Sequence, residues 1–167
     1  ELYYWDFGRD KPLQVTQDLI SDNDYSNSEL REFVKYTLAY DCKINVDGDR
    51  LFYPDKNNDE KDYNDGYSLY YRNPNKEKSE PVKVDSEVTS YDIDPDGKNV
   101  YYIKDKSLYV YNVKEELKDK LASDVTGFAL SDDGSRILFA NKDNDLYIKV
   151  EDNDKEKLTG EVGNIYF

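Results

Sequence analysis

Histidine and methionine are absent from the 167 residues, and cysteine and tryptophan occur once each. Without histidine there is no Ser-His or Cys-His nucleophile pair, and the commonest metal ligand is missing. The single thiol, Cys42, cannot close an internal disulfide. With no histidine beside it, a zinc site lacks ligands. Cys42 reads instead as a small buried hydrophobe on a strand. No glycine falls in a GxGxxG or GKS/T phosphate-loop pattern. No apolar run approaches the roughly 18 residues that a membrane span needs. The chain starts at Glu1 without a methionine anywhere, so it reads as an excised or processed piece of a longer protein.

Positive charge is also scarce: 23 Lys and Arg stand against 37 Asp and Glu, a net charge of −14. Such a surface repels phosphate backbones and anionic lipid, which argues against nucleic-acid and membrane partners. What the chain has in quantity is tyrosine, 17 residues of it, with 6 Phe. Although the mean hydropathy is only −0.98, these rings and regularly placed Val, Ile and Leu supply strand formers and the apolar surface of a core.

Their placement repeats. Val88-Thr89, Val125-Thr126 and Val162-Gly163 are spaced 37 residues apart, as are Asp96-Gly97 and Asp133-Gly134. One copy reads Ser90–Ile93, the turn Asp94-Pro95-Asp96-Gly97, then Asn99–Ile103, Leu108–Tyr111 and Lys120–Ala122. The next reads Phe128–Leu130, Ser131-Asp132-Asp133-Gly134, then Arg136–Ala140, Leu146–Val150 and Lys157–Thr159. A longer copy runs from Asp41–Val46 through Asp47-Gly48 to Arg50–Tyr53, Leu69–Arg72 and Val82–Val84. The chain opens on half a copy, Leu2–Asp6 and Leu13–Thr16. The Leu of the Leu-Tyr strand precedes the fourth-strand apolar residue by 13 residues in three copies (Leu2 to Val15, Leu69 to Val82, Leu108 to Leu121) and by 12 in the last.

Four short strands per repeat of about 40 residues are the mark of a β-propeller blade. The expected fold is therefore all-β: blades of four antiparallel strands, about three full blades plus a half blade, forming a partial propeller. The expected organisation is a half blade at 1–19, an insertion at 20–38, a blade at 39–88 with a loop insertion at 54–67, and blades at 89–125 and 126–162. Residues 163–167 would be an orphan first strand, opening a further blade or joining the first.

The turns Asp94-Pro95-Asp96-Gly97-Lys98 and Ser131-Asp132-Asp133-Gly134-Ser135, each leading to a Leu-Tyr and then a Lys-Leu strand, resemble the repeats of TolB-type β-propellers. Similar blades occur in prolyl-oligopeptidase-family propellers and in bacterial cell-surface proteins. The resemblance implies fold more than function, since propellers serve many tasks. It leaves room for a gating propeller attached to a hydrolase domain outside this chain.

The two insertions carry the expected site. In the first, Ser28–Val34 has an N-cap candidate and helical spacing, which favours a helix to about Lys35, although the alternation Val34-Tyr36-Leu38-Tyr40 argues instead for an early strand. It also holds Asp22, Asp24 and Tyr25. The second holds Asp55, Asp59, Asp62, Tyr63, Asp65 and Tyr67. Propeller geometry sends both connections to one face, and loops carry function more often than scaffolds do. These nine residues are expected to form an acidic, aromatic rim that binds a protein or peptide; a solvated loop with no partner is the bland alternative.

No catalytic residues are assigned, and no enzyme activity is expected. Asp92-x-Asp94-x-Asp96-Gly97 resembles the start of a calcium loop, but its twelfth position is Ile103 rather than Glu, and a hairpin turn already explains Asp-Gly. No cofactor is expected beyond weak calcium binding at the acidic clusters. The Tyr pairs at 3–4, 70–71 and 101–102 read as core and inter-blade packing, because adjacent strand residues face opposite ways. The expected role is a non-catalytic scaffold or protein- and peptide-recognition domain of a bacterial, extracellular or cell-surface protein. Carbohydrate or calcium-dependent ligand binding is the alternative.

Overall fold

A computed structural model describes residues 2–5, 8, 10–15, 41–55, 66–76, 78–150 and 153–160. The expected helix at 28–35, the strand at 163–167 and the interiors of both insertions lie outside the described residues. Every regular element among the described residues is a strand: β1 (Tyr3–Tyr4), β2 (Leu13–Gln14), β3 (Lys43–Ile44), β4 (Leu51–Asp55), β5 (Tyr67–Arg72), β6 (Val82–Ile93) and β7 (Asn99–Lys104), followed by β8 (Ser107–Asn112), β9 (Leu117–Ser123), β10 (Val125–Leu130), β11 (Arg136–Asn141), β12 (Leu146–Val150) and β13 (Glu156–Thr159). They fall into two compact units, Glu1–Glu87 and Val88–Phe167.

In the second unit the sequence repeat becomes a structural one. Strands β10 to β13 hydrogen-bond in chain order as a four-stranded antiparallel sheet, and β7, β8 and β9 follow the same order. The first-to-second-strand turns close alike, Gly97 N–H donating to Asp94 O at 2.9 Å and Gly134 N–H to Ser131 O at 2.8 Å. Asp105 and Lys106, both at positive φ (47° and 55°), make the two-residue hairpin between β7 and β8. Ile103, Leu108, Ala122, Val125, Ile137 and Phe139 form one buried core drawn from both blades of this unit.

In the first unit β1 and β2 pair antiparallel (Tyr3 with Gln14, Tyr4 with Leu13), and Val15 N–H donates to Leu2 O at 2.8 Å. Strands β3, β4 and β5 form the next meander, Leu51 facing Arg72, Tyr53 facing Tyr70 and Asp55 facing Ser68. Val15, Leu51 and Tyr53 make its core, with Leu2, Tyr4, Cys42 and Tyr70 packed around them.

Several boundaries shift from the sequence-based expectation. The fourth strand of the 39–88 blade and the first strand of the next are one continuous strand, β6, of 12 residues. Its bend is marked by Glu87 at φ 58°, repeated 37 residues on by Asp124 at φ 56°, and each precedes a register shift (Val88/Ser90 and Val125/Gly127). Insertion 54–67 is shorter than expected at both ends, because Pro54 and Asp55 belong to β4, and Tyr67 begins β5. Pro54 is fully buried opposite Leu69. Cys42 precedes β3 rather than lying on it, and is half-buried. Of the Tyr pairs, Tyr102 is wholly buried as expected, whereas Tyr3 is 53% exposed and so is not core.

One cross-strand unit recurs in every blade. A second-strand aromatic stacks on a third-strand Tyr, with ring centroids 6.1 Å apart for Tyr53–Tyr70, 5.5 Å for Tyr102–Tyr109 and 5.4 Å for Phe139–Tyr147. A Lys ammonium then covers the Tyr: Lys83 at 5.9 Å, Lys118 at 5.7 Å and Lys155 at 5.7 Å. Each pairing adds aromatic and cation–π attraction to ordinary burial. This is why a chain with 37% hydrophobic residues builds a core at all.

Candidate functional site

The candidate site is a cavity of about 500 Å³ in the first unit, lined by Gln14 and Val15 of the half blade, Tyr53, Asp55, Tyr70 and Arg72 of the β4–β5 pair, and Lys78–Pro81. The alternation of strand side chains builds its floor. On one face Arg72 stands beside Leu51, Tyr70 beside Tyr53 and Ser68 beside Asp55. The Arg72 and Asp55 positions are therefore two rungs apart, about 13 Å along the strands. The two stacked phenols lie between them.

The far wall is the connection from β5 to β6, shaped by local polar bonds. Asn73 Oδ1 accepts from Asn75 N–H at 2.8 Å, Ser79 Oγ from Asn73 N–H at 3.1 Å, and Lys76 O from Ser79 N–H at 2.9 Å. Asn75 Nδ2 donates to Gly48 O at 2.9 Å, tying this wall to the β3–β4 turn. Such Asx contacts hold a connection in place without helix or sheet.

Arg72 is 8% exposed. Its Nη1 donates to Val15 O at 3.0 Å and Gln14 O at 3.3 Å, which joins the half blade to the blade. Its Nε is buried and has no hydrogen-bond partner among the described residues. Burial, and after it the neighbouring Asp55 carboxylate, pushes the phenols of Tyr53 and Tyr70 above the ordinary tyrosine range. Both remain neutral hydrogen-bonding groups at any physiological pH. The lining therefore offers cations (Arg72, Lys78), anions (Asp55, Glu80) and neutral hydroxyls, an arrangement suited to binding.

Of the nine residues expected at the rim, Asp55 lines this cavity. Tyr67 does not sit on a loop: it is 5% exposed in β5, and its phenol is pushed up chiefly by burial. Substituting Tyr67 would therefore disturb packing, and it is withdrawn as a rim residue. Asp22, Asp24, Tyr25, Asp59, Asp62, Tyr63 and Asp65 lie outside the described residues. The sequence reading passed over Arg72 and Lys78–Pro81. A signal for Arg72 was present, since it follows Tyr70 at period two and so places a charge on the core face.

The Asp94–Gly97 segment is a hairpin turn, and Asp92 lies on β6. Asp94 accepts from Asn99 N–H at 3.0 Å and Asn99 Nδ2 at 2.9 Å, and the Lys98 ammonium bridges Asp96. Among the described residues no group of three or more His, Cys, Asp or Glu is placed to hold a metal ion. Also among them, no helix is long and apolar enough to cross a membrane. The Cys42 thiol is pushed up to about 11 by burial and by Asp41, the reverse of an activated nucleophile.

No protein-family model and no curated protein sequence matches the chain. Solved structures do resemble it. The tricorn protease matches with TM-score 0.53 at 12% identity, over 68% of this chain and 12% of that one. The N-terminal domain of Nup159 matches with TM-score 0.53 at 16% identity, over 74% and 30%. The β-propeller domain of the Trilobed protease from Pyrococcus furiosus matches with TM-score 0.49 at 14% identity, over 74% and 43%. The chain thus spans less than half of each of these structures. At such identities the likeness speaks for the fold alone. The strand order and the 37-residue repeat, with the likeness to the first two of these structures, define the class: an all-β protein made of β-propeller blades, a partial propeller in extent.

Proposed function

We propose that the chain is a non-catalytic scaffold and recognition domain that binds a protein or peptide through the cavity of its first unit. The observation that carries this reading is the lining itself: charges of both signs and two neutral phenols around a space of about 500 Å³. A cavity of that size receives a few side chains of a partner rather than a folded surface. On the resemblance of its repeats to TolB-type blades, we further propose that the domain belongs to a bacterial cell-surface or secreted protein.

Binding of the labelled chain to an immobilised peptide library tests the reading. A defined subset of peptides is expected to bind, Tyr70→Ala is expected to weaken binding, and a chelator is expected to leave it unchanged. Ester, peptide and glycoside substrates should show no turnover. Absence of any peptide binder, or turnover of a substrate, would remove the reading. A calcium requirement or a glycan ligand would put carbohydrate or calcium-dependent binding in its place. A gating role predicts instead that the native protein continues into a hydrolase domain with a Gly-x-Ser-x-Gly elbow.

A further inference from the structure

A buried guanidinium that is only partly satisfied among the described residues lies in this cavity. A guanidinium taken out of water is costly unless counter-charge and hydrogen bonds replace its hydration. Arg72 is 8% exposed, and the partners of its Nη1 are two neutral main-chain carbonyls, Val15 O and Gln14 O. Its Nε has no hydrogen-bond partner among the described residues. With Nη1 committed, the edge formed by Nε and Nη2 is the side of the group that makes no hydrogen bond among the described residues. That edge is the fork that receives a carboxylate side-on, through two parallel N–H···O bonds. Asp55 cannot fill it from its own position, because its place on β4 is two rungs away, beyond the Tyr53–Tyr70 pair.

We propose that the cavity is a carboxylate-binding site in which Arg72 anchors an acidic side chain or the C-terminal carboxylate of a peptide. Lys78 adds positive charge to the lining, and the phenols of Tyr53 and Tyr70 supply neutral donors beside it. The half blade presents Arg72 to the cavity, since the carbonyls of Gln14 and Val15 fix the guanidinium plane. The net charge of −14 does not forbid an anionic ligand, because charges beyond about 8 Å are screened at physiological ionic strength. The proposal rests on the peptide-recognition reading for the source of the carboxylate, but not for the chemistry of the site.

The test is a titration of the ¹⁵N-labelled chain followed at the Arg72 Nε–H resonance. Acetyl-glutamate amide stands for an acidic side chain, acetyl-glycyl-alanine with a free C-terminus for a chain end, and acetyl-glutamine amide for the uncharged control. One or both carboxylates should shift the resonance saturably, the tighter of the two naming the source, while the glutamine compound leaves it in place. Arg72→Lys keeps the charge but loses the fork, and should weaken binding by about tenfold or more; Lys78→Gln, an exposed change, should weaken it about twofold. An unmoved Arg72 resonance, an equal response to the glutamine compound, or normal binding by Arg72→Lys would overturn the proposal. The wild-type titration decides even if Arg72→Lys fails to fold. Peptides captured without preference for acidic groups would remove this inference and leave the recognition reading standing.

Discussion

The third strand of each blade carries the same pattern, and one position of it separates the two units. Aligned on the Leu-Tyr pair, Arg72 in the first unit corresponds to Tyr111 and Lys149 in the second. Tyr111 is buried with a ring, Lys149 reaches Asn153 O at 2.8 Å, and Arg72 is buried with a charge beside a cavity. A stacked aromatic pair stands next to it in all three blades. Scaffold and site are thus built on one template. What distinguishes the site is a charge placed on the packed face, together with a connection (73–81) long enough to wall it.

The largest effect that tests this comparison is a core truncation in the regular unit. Phe139 is 2% exposed within the shared core of its two blades, and Phe139→Ala should cost about 3–5 kcal/mol by urea denaturation. Tyr53→Phe in the first unit copies the Phe139–Tyr147 pair onto the cavity floor. It should change stability by no more than about 1 kcal/mol while reducing carboxylate binding. A stability loss as large as that of Phe139→Ala would mean that the Tyr53 hydroxyl serves packing rather than the site.

A second pair compares turns. Gly48 and Gly134 both stand at positive φ (67° and 73°), where a side chain is strained. A Cβ on Gly48 would meet nothing within 4 Å, whereas on Gly134 it would lie 2.8 Å from Asp94 Cβ and 2.9 Å from Pro95 Cδ. Gly48→Ala should cost about 1–2 kcal/mol, from backbone strain alone. Gly134→Ala should cost about 2–4 kcal/mol, because the turns of two neighbouring blades must also move apart. Equal costs would show that this packing is looser than the structure draws it.

These contrasts explain what was legible in the sequence. The repeat announced itself because Asp-Gly turns and Leu-Tyr strands are local chemistry, fixed by neighbours in the chain. The merging of two strands into β6 did not, since its bend rests on Glu87 at φ 58°, a residue type that does not advertise positive φ. Pro54 read as the start of a loop, yet β4 continues through it, and the burial opposite Leu69 that holds it there is a tertiary fact. The cavity was invisible for the same reason: its lining comes from Val15, Tyr53, Arg72 and Ser79, brought together by strand pairing and a tied connection.

The Cys42 thiol gives a kinetic rather than an energetic test of the first unit. Burial and Asp41 push it up to about 11, so at pH 8 it should react with a thiol reagent about a hundredfold more slowly than a free cysteine. Urea that unfolds the first unit should restore the ordinary rate. Fast reaction of the native chain would mean that the packing around Val15, Leu51 and Tyr53 opens readily.

The smallest expected effect separates the turns by pH. One position serves the same purpose in all three: Asn45 Oδ1 accepts from Arg50 N–H at 2.9 Å, Asp94 Oδ1 from Asn99 N–H at 3.1 Å, and Ser131 Oγ from Arg136 N–H at 3.0 Å. In the first unit that acceptor is a neutral amide and does not titrate. In the Ser131 turn the hydroxyl is in turn held by the Asp133 carboxylate at 2.6 Å, which also accepts from Ser135 N–H at 3.0 Å. Those bonds, the Ser131 hydroxyl first, hold Asp133 down at about 2 against an ordinary 3.8. A depressed carboxylate contributes stability that is complete above its unfolded value and disappears as pH falls through its folded one. The window therefore runs from about pH 4 to about pH 2. Asp133→Asn should lower Tm slightly at pH 6, and the gap to wild type should close across that window; a gap that persists at the acid end would place the effect in the shape of the turn rather than in its charge.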